Sequence, residues 1–150
     1  LLLAQDPEVL VLDDFSLGLD PGYRRLFVDY MREYAKAEDK TVFLTSHIIQ
    51  DMERLVDDCI VMDYGKILVQ MPVEELLGKF RRYTAQVSEG FRMQDTDGIY
   101  NPSVIRQTLE LFSMLPEAEV RARLSLQGVA DVQVEKVGLE DAFIGLTGKY

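Results

Sequence analysis

Two adjacent carboxylates, Asp13 and Asp14, follow directly on the apolar run Val9 to Leu12. The chain's single histidine, His47, comes just after a second short apolar run, Thr41 to Thr45. One carboxylate at such a place can hold a hydrated Mg²⁺, and a second can orient or deprotonate an attacking water. The same residues have a plainer reading, a core strand that ends in a solvated acidic turn and a structural histidine. What decides between the two is whether the chain brings the three side chains to one edge.

A parallel sheet would do so, because its strand ends converge on one edge and open α/β sheets place their chemistry there. Val9 to Leu12 reads as a buried strand. Gly18, Leu19, Asp20 and Pro21 read as a turn opening a helix, with Asp20 as N-cap and Pro21 as first helical residue. The helix is expected from about Gly22 to Glu38, with Leu26, Phe27, Tyr30, Met31, Tyr34 and Ala35 on one buried face. Thr41 to Thr45 is a second strand, so that strand, helix and strand make a parallel βαβ unit. Ser46 is placed to cap a helix over 48–56, and Cys59 to Asp63 is expected to complete a second βαβ. Tyr64-Gly65 is a hairpin signal, with Lys66 to Met71 returning antiparallel. A short helix over 73–79 follows Pro72.

From Arg81 the pattern changes. Tyr83, Ala85 and Val87 alternate with polar residues, as in a half-exposed strand. Residues 89–102 are rich in turn formers and read as a loop; 105–114 are read as a strand on their Thr108 to Phe112 core, while Ile105, Leu109 and Phe112 also fit a helical face. Residues 116–127 read as a helix with Val120 and Leu124 inward, 132–137 as a strand and 139–146 as a last helix. The expected fold class is therefore α/β, a βαβαβ parallel sheet and then a β-hairpin, followed by a small α+β subdomain. The expected domains are 1–80 and 81–150. Residues 1–5 read as the end of a helix stopped by Asp6-Pro7. With no initiator Met, the chain reads as the later part of a longer protein.

Composition narrows the class. The chain has 150 residues, 47% hydrophobic and 28% charged, which is the make-up of a globular domain. A net charge of −10 argues against a nucleic-acid partner. No apolar run approaches the ~20 residues that span a bilayer, so direct membrane insertion is not expected. Cys59 is the only cysteine, which excludes an internal disulfide and is compatible with a reducing cytoplasm. It is expected as a small core residue.

Taken as an ordered set, these pieces resemble the second half of the nucleotide-binding domain of ABC transporters. VLVLDD is similar to that family's Walker B strand, GLDP to its D-loop, and TSH to its H-loop. CIVMDYGKIL resembles the hairpin that follows, and LEDAFIGLTG the closing helix of subunits that drive ABC-2-type exporters. The resemblance covers residues 1–80 and 129–148. It implies part of a P-loop NTPase-like sheet and, in the intact protein, an ATPase that uses ATP and Mg²⁺. Residue by residue, Asp13 would hold Mg²⁺ through water, and Asp14 would polarise the attacking water. His47 would contact the γ-phosphate. Asp20, with Gly18, would lie at a dimer interface and couple two ATP sites. The implied partners are a second ATPase subunit and an integral-membrane permease, on the cytoplasmic face of the cell membrane.

The sequence departs from that pattern in several places. Asp14 stands where the family usually has glutamate, one methylene longer. Phe15 and Leu17 replace the usual proline and small polar residue. No GxxxxGKS or GxxxxGKT loop exists to cradle phosphates, and the LSGGQ signature is missing. This span alone is therefore expected to be inactive. Two other classes compete: a phosphoacceptor receiver with Asp63 as acceptor, and an interaction module built on residues 81–150.

Overall fold

A computed structural model of the chain describes residues 5–15 and 18–148, apart from the side chain of Asp51. The expected helix end at 1–5 lies almost wholly outside the described residues, as does Leu17. The described residues form mixed α/β structure, with small sheets and five helices. Its contacts divide it into two compact units, Leu1–Val56 and Asp57–Tyr150.

The first unit contains strand β1 (Val9–Asp13), helix α1 (Pro21–Ala37), strand β2 (Thr41–Thr45) and helix α2 (Ile49–Leu55). β1 and β2 pair in parallel, as the βαβ reading requires. Leu10 and Leu12 point from one face of β1 into a core with Met31 of α1, against which Phe27, Tyr34, Val42, Leu44 and Leu55 pack. The period-2 geometry of a strand sends Val9 and Val11 to the opposite face. There they are 57% and 70% exposed, so β1 is half-buried rather than the fully buried strand expected. The same geometry corrects the helix. A pair of strands with one covered face needs only a narrow stripe from α1, and Val28 and Met31 supply its buried residues. Leu26 and Tyr30, expected inside, are exposed.

In the second unit, β3 (Asp58–Asp63) and β4 (Lys66–Pro72) form the expected hairpin. Tyr64 and Gly65 both have positive φ, 45° and 73°, the pair of left-handed residues a two-residue hairpin turn needs. β3 finds its sheet partner in β4, and the second parallel βαβ is not formed among the described residues. A tight turn delivers an antiparallel partner at once, whereas a parallel one has to be brought back across a helix.

Helix α3 (Val73–Lys79) leads into a four-stranded antiparallel sheet made of β5 (Arg81–Gln86), β6 (Ile99–Ile105), β7 (Thr108–Ser113) and β8 (Gln133–Lys136), in the order β6-β7-β5-β8. Helix α4 (Glu117–Leu126) follows β7, and α5 (Leu139–Thr147) follows β8. Tyr83, Ala85, Leu109 and Leu111 meet Val120 and Leu124 of α4 in one core. The other side of the sheet holds Phe112, stacked on Phe80 with ring centroids 5.7 Å apart, and Gly145 of α5 lies against them.

The first part of β6, residues 99–102, falls in the expected loop. Asn101 and Pro102 interrupt its pairing with β7, where the register shifts between Tyr100 and Ser103, and Pro102 is tolerated because β6 is an edge strand. Cys59 is only half-buried, with burial pushing its thiol pKa up. No helix among the described residues is long and apolar enough to cross a membrane.

Candidate functional site

The parallel register of β1 and β2 places Asp13 directly opposite Thr45, at the ends of both strands. The Thr45 hydroxyl donates to the Asp13 carboxylate. One residue on, the Asp14 N–H donates to both the carbonyl oxygen and the Oγ1 of Thr45, each at 3.1 Å. Asp14 has φ of 44°, in the left-handed region that a residue with a Cβ rarely adopts. The chain therefore turns sharply where the strand ends.

From that turn, the Asp14 carboxylate meets the imidazole of His47, with Oδ1 2.8 Å from Nδ1. His47 is delivered by Ser46, whose hydroxyl accepts from the Ile48 N–H at 3.0 Å and bends the chain after β2. Ser46 was expected to cap the following helix. The N-cap position is instead Ile48, which makes no side-chain cap bond, and the serine shapes the turn before it. Both members of the pair reach solvent, with His47 60% and Asp14 35% exposed.

Asp13, Asp14 and His47 therefore gather at one strand edge, joined through Thr45. Thr45 itself was read only as a strand former. The signal that could have found it is its place in the parallel register, across from an acid at a strand end.

Gly18 and Asp20 stand at the entrance to α1. Asp20 Oδ1 accepts from the N–H groups of Gly22 and Tyr23 at 2.9 and 3.2 Å, the N-cap expected of it. Gly18 has φ of 85°, a conformation that glycine adopts at no steric cost. Asp63 closes β3 beside the hairpin turn, opposite Lys66 in register, in the other unit.

Chemically, a carboxylate bound to imidazole Nδ1 fixes the ring's orientation and leaves Nε2 to face a ligand. Among the described residues, no group of three or more His, Cys, Asp and Glu side chains is arranged to hold a metal ion. A protein cage for zinc or calcium is therefore not what these residues offer. Mg²⁺ makes a different demand: it keeps several waters and takes one or two carboxylates together with substrate phosphates. The exposed Asp13 carboxylate, its direction set by Thr45, fits that mode.

No protein-family model matches the chain. Curated proteins do resemble it along nearly its whole length. A Nod factor export ATP-binding protein I of Rhizobium sp. (strain N33) is 32% identical over 160 residues, covering 98% of this chain and 49% of the relative. That of Rhizobium meliloti is 31% identical over 156 residues, covering 98% and 45%. An uncharacterized ABC transporter ATP-binding protein of Bacillus subtilis (strain 168), YhcH, is 26% identical over 153 residues, covering 98% and 50%. The chain thus spans about half the length of the curated relatives it matches.

Proposed function

We infer that this chain is part of the ATP-binding subunit of an ABC transporter; along 98% of its length it is similar to Nod factor export ATP-binding proteins and to an ABC transporter ATP-binding protein. The intact protein would bind ATP, hydrolyse it and use the free energy to drive a membrane permease. In this reading residues 1–80 belong to the ATPase domain, residues 81–150 are an accessory subdomain, and the protein works at the cytoplasmic face of the membrane. β1 and β2 would be two strands of a larger P-loop NTPase-like parallel sheet. The uncovered Val9, Val11 and Phe43 support that, because parallel sheets are buried on both faces.

The observation that carries the chemical assignment is the Asp14–His47 contact beside Asp13. Asp14 would accept a hydrogen bond from the attacking water and orient it for in-line displacement at the γ-phosphate. His47, its ring held through Nδ1, would direct Nε2 toward the γ-phosphate oxygens and register their loss. Asp13 would hold a water of the Mg²⁺ shell. Bound Mg²⁺ supplies neutralisation of the charge that develops on the phosphates. Gly18 and Asp20 would lie at the interface with a second ATPase subunit. Asp20 can serve there and still cap α1, because it caps with a single oxygen.

No phosphate cradle occurs in this span, so the residues act only once other segments of the intact protein provide one. A phosphoacceptor function at Asp63 is the weaker reading, because the relatives are ATP-binding transport proteins.

The test is steady-state ATP turnover by the intact protein with Asp14→Asn. General acid–base steps are worth roughly 10²–10⁴-fold, and a fall of that order is expected. Undiminished turnover would remove Asp14 from the mechanism.

A further inference from the structure

We infer that Thr45 is a positioning residue for both acids of the site. The inference rests on the catalytic reading of Asp13 and Asp14 given above. A threonine hydroxyl has one proton to donate and lone pairs with which to accept. Here the proton goes to the Asp13 carboxylate and a lone pair takes the Asp14 N–H. One oxygen therefore sets the direction of the first acid and the backbone of the second.

The second role matters because Asp14 stands in the left-handed region, at φ 44°. For a residue with a Cβ this costs roughly 1–2 kcal/mol, so something must hold it there. The Asp14 N–H is shared between the Thr45 carbonyl and hydroxyl, both at 3.1 Å, and that shared bond ties the turn to the end of β2. From this backbone the short aspartate side chain reaches His47 Nδ1 at 2.8 Å. Because the aspartate side chain is short, the turn that aims it carries much of the positioning.

Parallel register makes the arrangement self-consistent. Asp13 and Thr45 are ladder partners, so the β1–β2 pairing keeps the hydroxyl and the carboxylate side by side on one face of the sheet. Two residues past Thr45 comes His47, so a single strand end carries both the hydroxyl and the imidazole.

The experiment uses the intact protein and compares Thr45→Val, Thr45→Ser and Asp14→Asn. Valine keeps the branched shape and strand preference and removes only the hydroxyl. Displacing a catalytic group by about 1 Å can cost up to about 10²-fold, so Thr45→Val should lower kcat roughly 10-fold to 100-fold. KM for ATP should stay within about twofold, because positioning of these acids is felt mainly in the transition state. Thr45→Ser, which restores the hydroxyl, should recover most of kcat.

Wild-type turnover in Thr45→Val alongside a large loss in Asp14→Asn would overturn the role of Thr45 and leave the acids in place. Equal impairment of the valine and serine variants would also overturn it, since the hydroxyl would then not be the operative group. Undiminished turnover in Asp14→Asn would fail the underlying reading instead.

Discussion

Gly145 and Gly78 are helical glycines in the same unit, and the same substitution should act on them with opposite sign. Alanine is favoured over glycine in a helix interior by about 1 kcal/mol. At Gly78 of α3, an added Cβ meets nothing within 4 Å, and the propensity gain is free to appear. Because Gly78 lies in the last turn of a short helix, roughly half of that gain, about 0.5 kcal/mol, is expected. At Gly145 of α5, the Cβ would sit 2.7 Å from Cδ1 and Cγ of Phe112 and 2.9 Å from Cε1 of Phe80. Those rings are stacked and almost wholly buried, so neither can swing aside. Overpacking of this kind costs about 1–3 kcal/mol, and three contacts under 3.0 Å point to the upper part of that range. After the propensity gain is subtracted, Gly145→Ala should lose about 1–2 kcal/mol. Urea unfolding of each variant, followed by far-ultraviolet circular dichroism, should move the midpoint up for Gly78→Ala and down for Gly145→Ala. Shortening the obstructing ring with Phe112→Leu should lessen the penalty at Gly145, a coupling that a double-mutant cycle reads directly. Stabilisation of both glycine variants would refute the tight seating of α5 on the Phe80–Phe112 pair.

Tyr83 is 1% exposed, and its hydroxyl has no hydrogen-bond partner among the described residues. An unsatisfied buried polar group costs about 1–3 kcal/mol, so Tyr83→Phe should unfold at a higher temperature than wild type, and a clear loss of stability would show that the hydroxyl is satisfied after all. Burial also pushes the Tyr83 phenol above its ordinary 10.0, so Tyr83→Phe should remove a late-ionising tyrosine from the alkaline spectrophotometric titration of the folded chain. The third prediction concerns Asp6 and Lys40, 2.8 Å apart. The lysine's hydrogen bond and charge hold the Asp6 carboxyl below its ordinary 3.8, while the same bond raises Lys40 above 10.5. The unfolded state then binds more protons in acid, so this contribution is present above about pH 4 and fades as pH falls through the lowered folded pKa. The lysine's share is complete below 10.5 and fades only at higher pH. Lys40→Met should therefore flatten the acid side of the stability–pH curve, and an unchanged slope below pH 4 would exclude the pair as a contributor.

Local signals carried most of the fold. Asp20-Pro21, Tyr64-Gly65 and the spacing of Val120 and Leu124 each act within a few residues, and each took the form its chemistry demands. Two kinds of feature were not legible. Whether a strand also joins a parallel sheet depends on partners distant in sequence, and among the described residues β3 pairs with its hairpin partner β4 and not in the second parallel βαβ expected of it. Which face of a helix is covered depends on how wide the sheet beneath it is, so Leu26 and Tyr30 came out exposed despite correct helical spacing. β6 was hidden for a local reason, because Asn101 and Pro102 signal a turn and here form the irregular part of an edge strand. At the site, residue types and strand ends located Asp13, Asp14 and His47. The hydroxyl of Thr45 emerged only from register, which no single segment encodes.

The geometry of that edge is set inside one βαβ unit. Register fixes Asp13 against Thr45, the shared N–H fixes the turn at Asp14, and Ser46 fixes the approach of His47. None of these needs a phosphate cradle, so the acids can be preformed before a nucleotide meets them. Preformation alone supplies little energy. Both members of the Asp14–His47 pair reach water, and a polar contact so exposed adds little to stability. The same contacts gain strength as water is excluded, because charge interactions grow as the effective dielectric falls. In the proposed ATPase, closing a cradle over this edge would therefore do two things at once, delivering the phosphates and desolvating the groups that act on them. Hydrolysis would then depend on closure through the electrostatics of residues that had not moved.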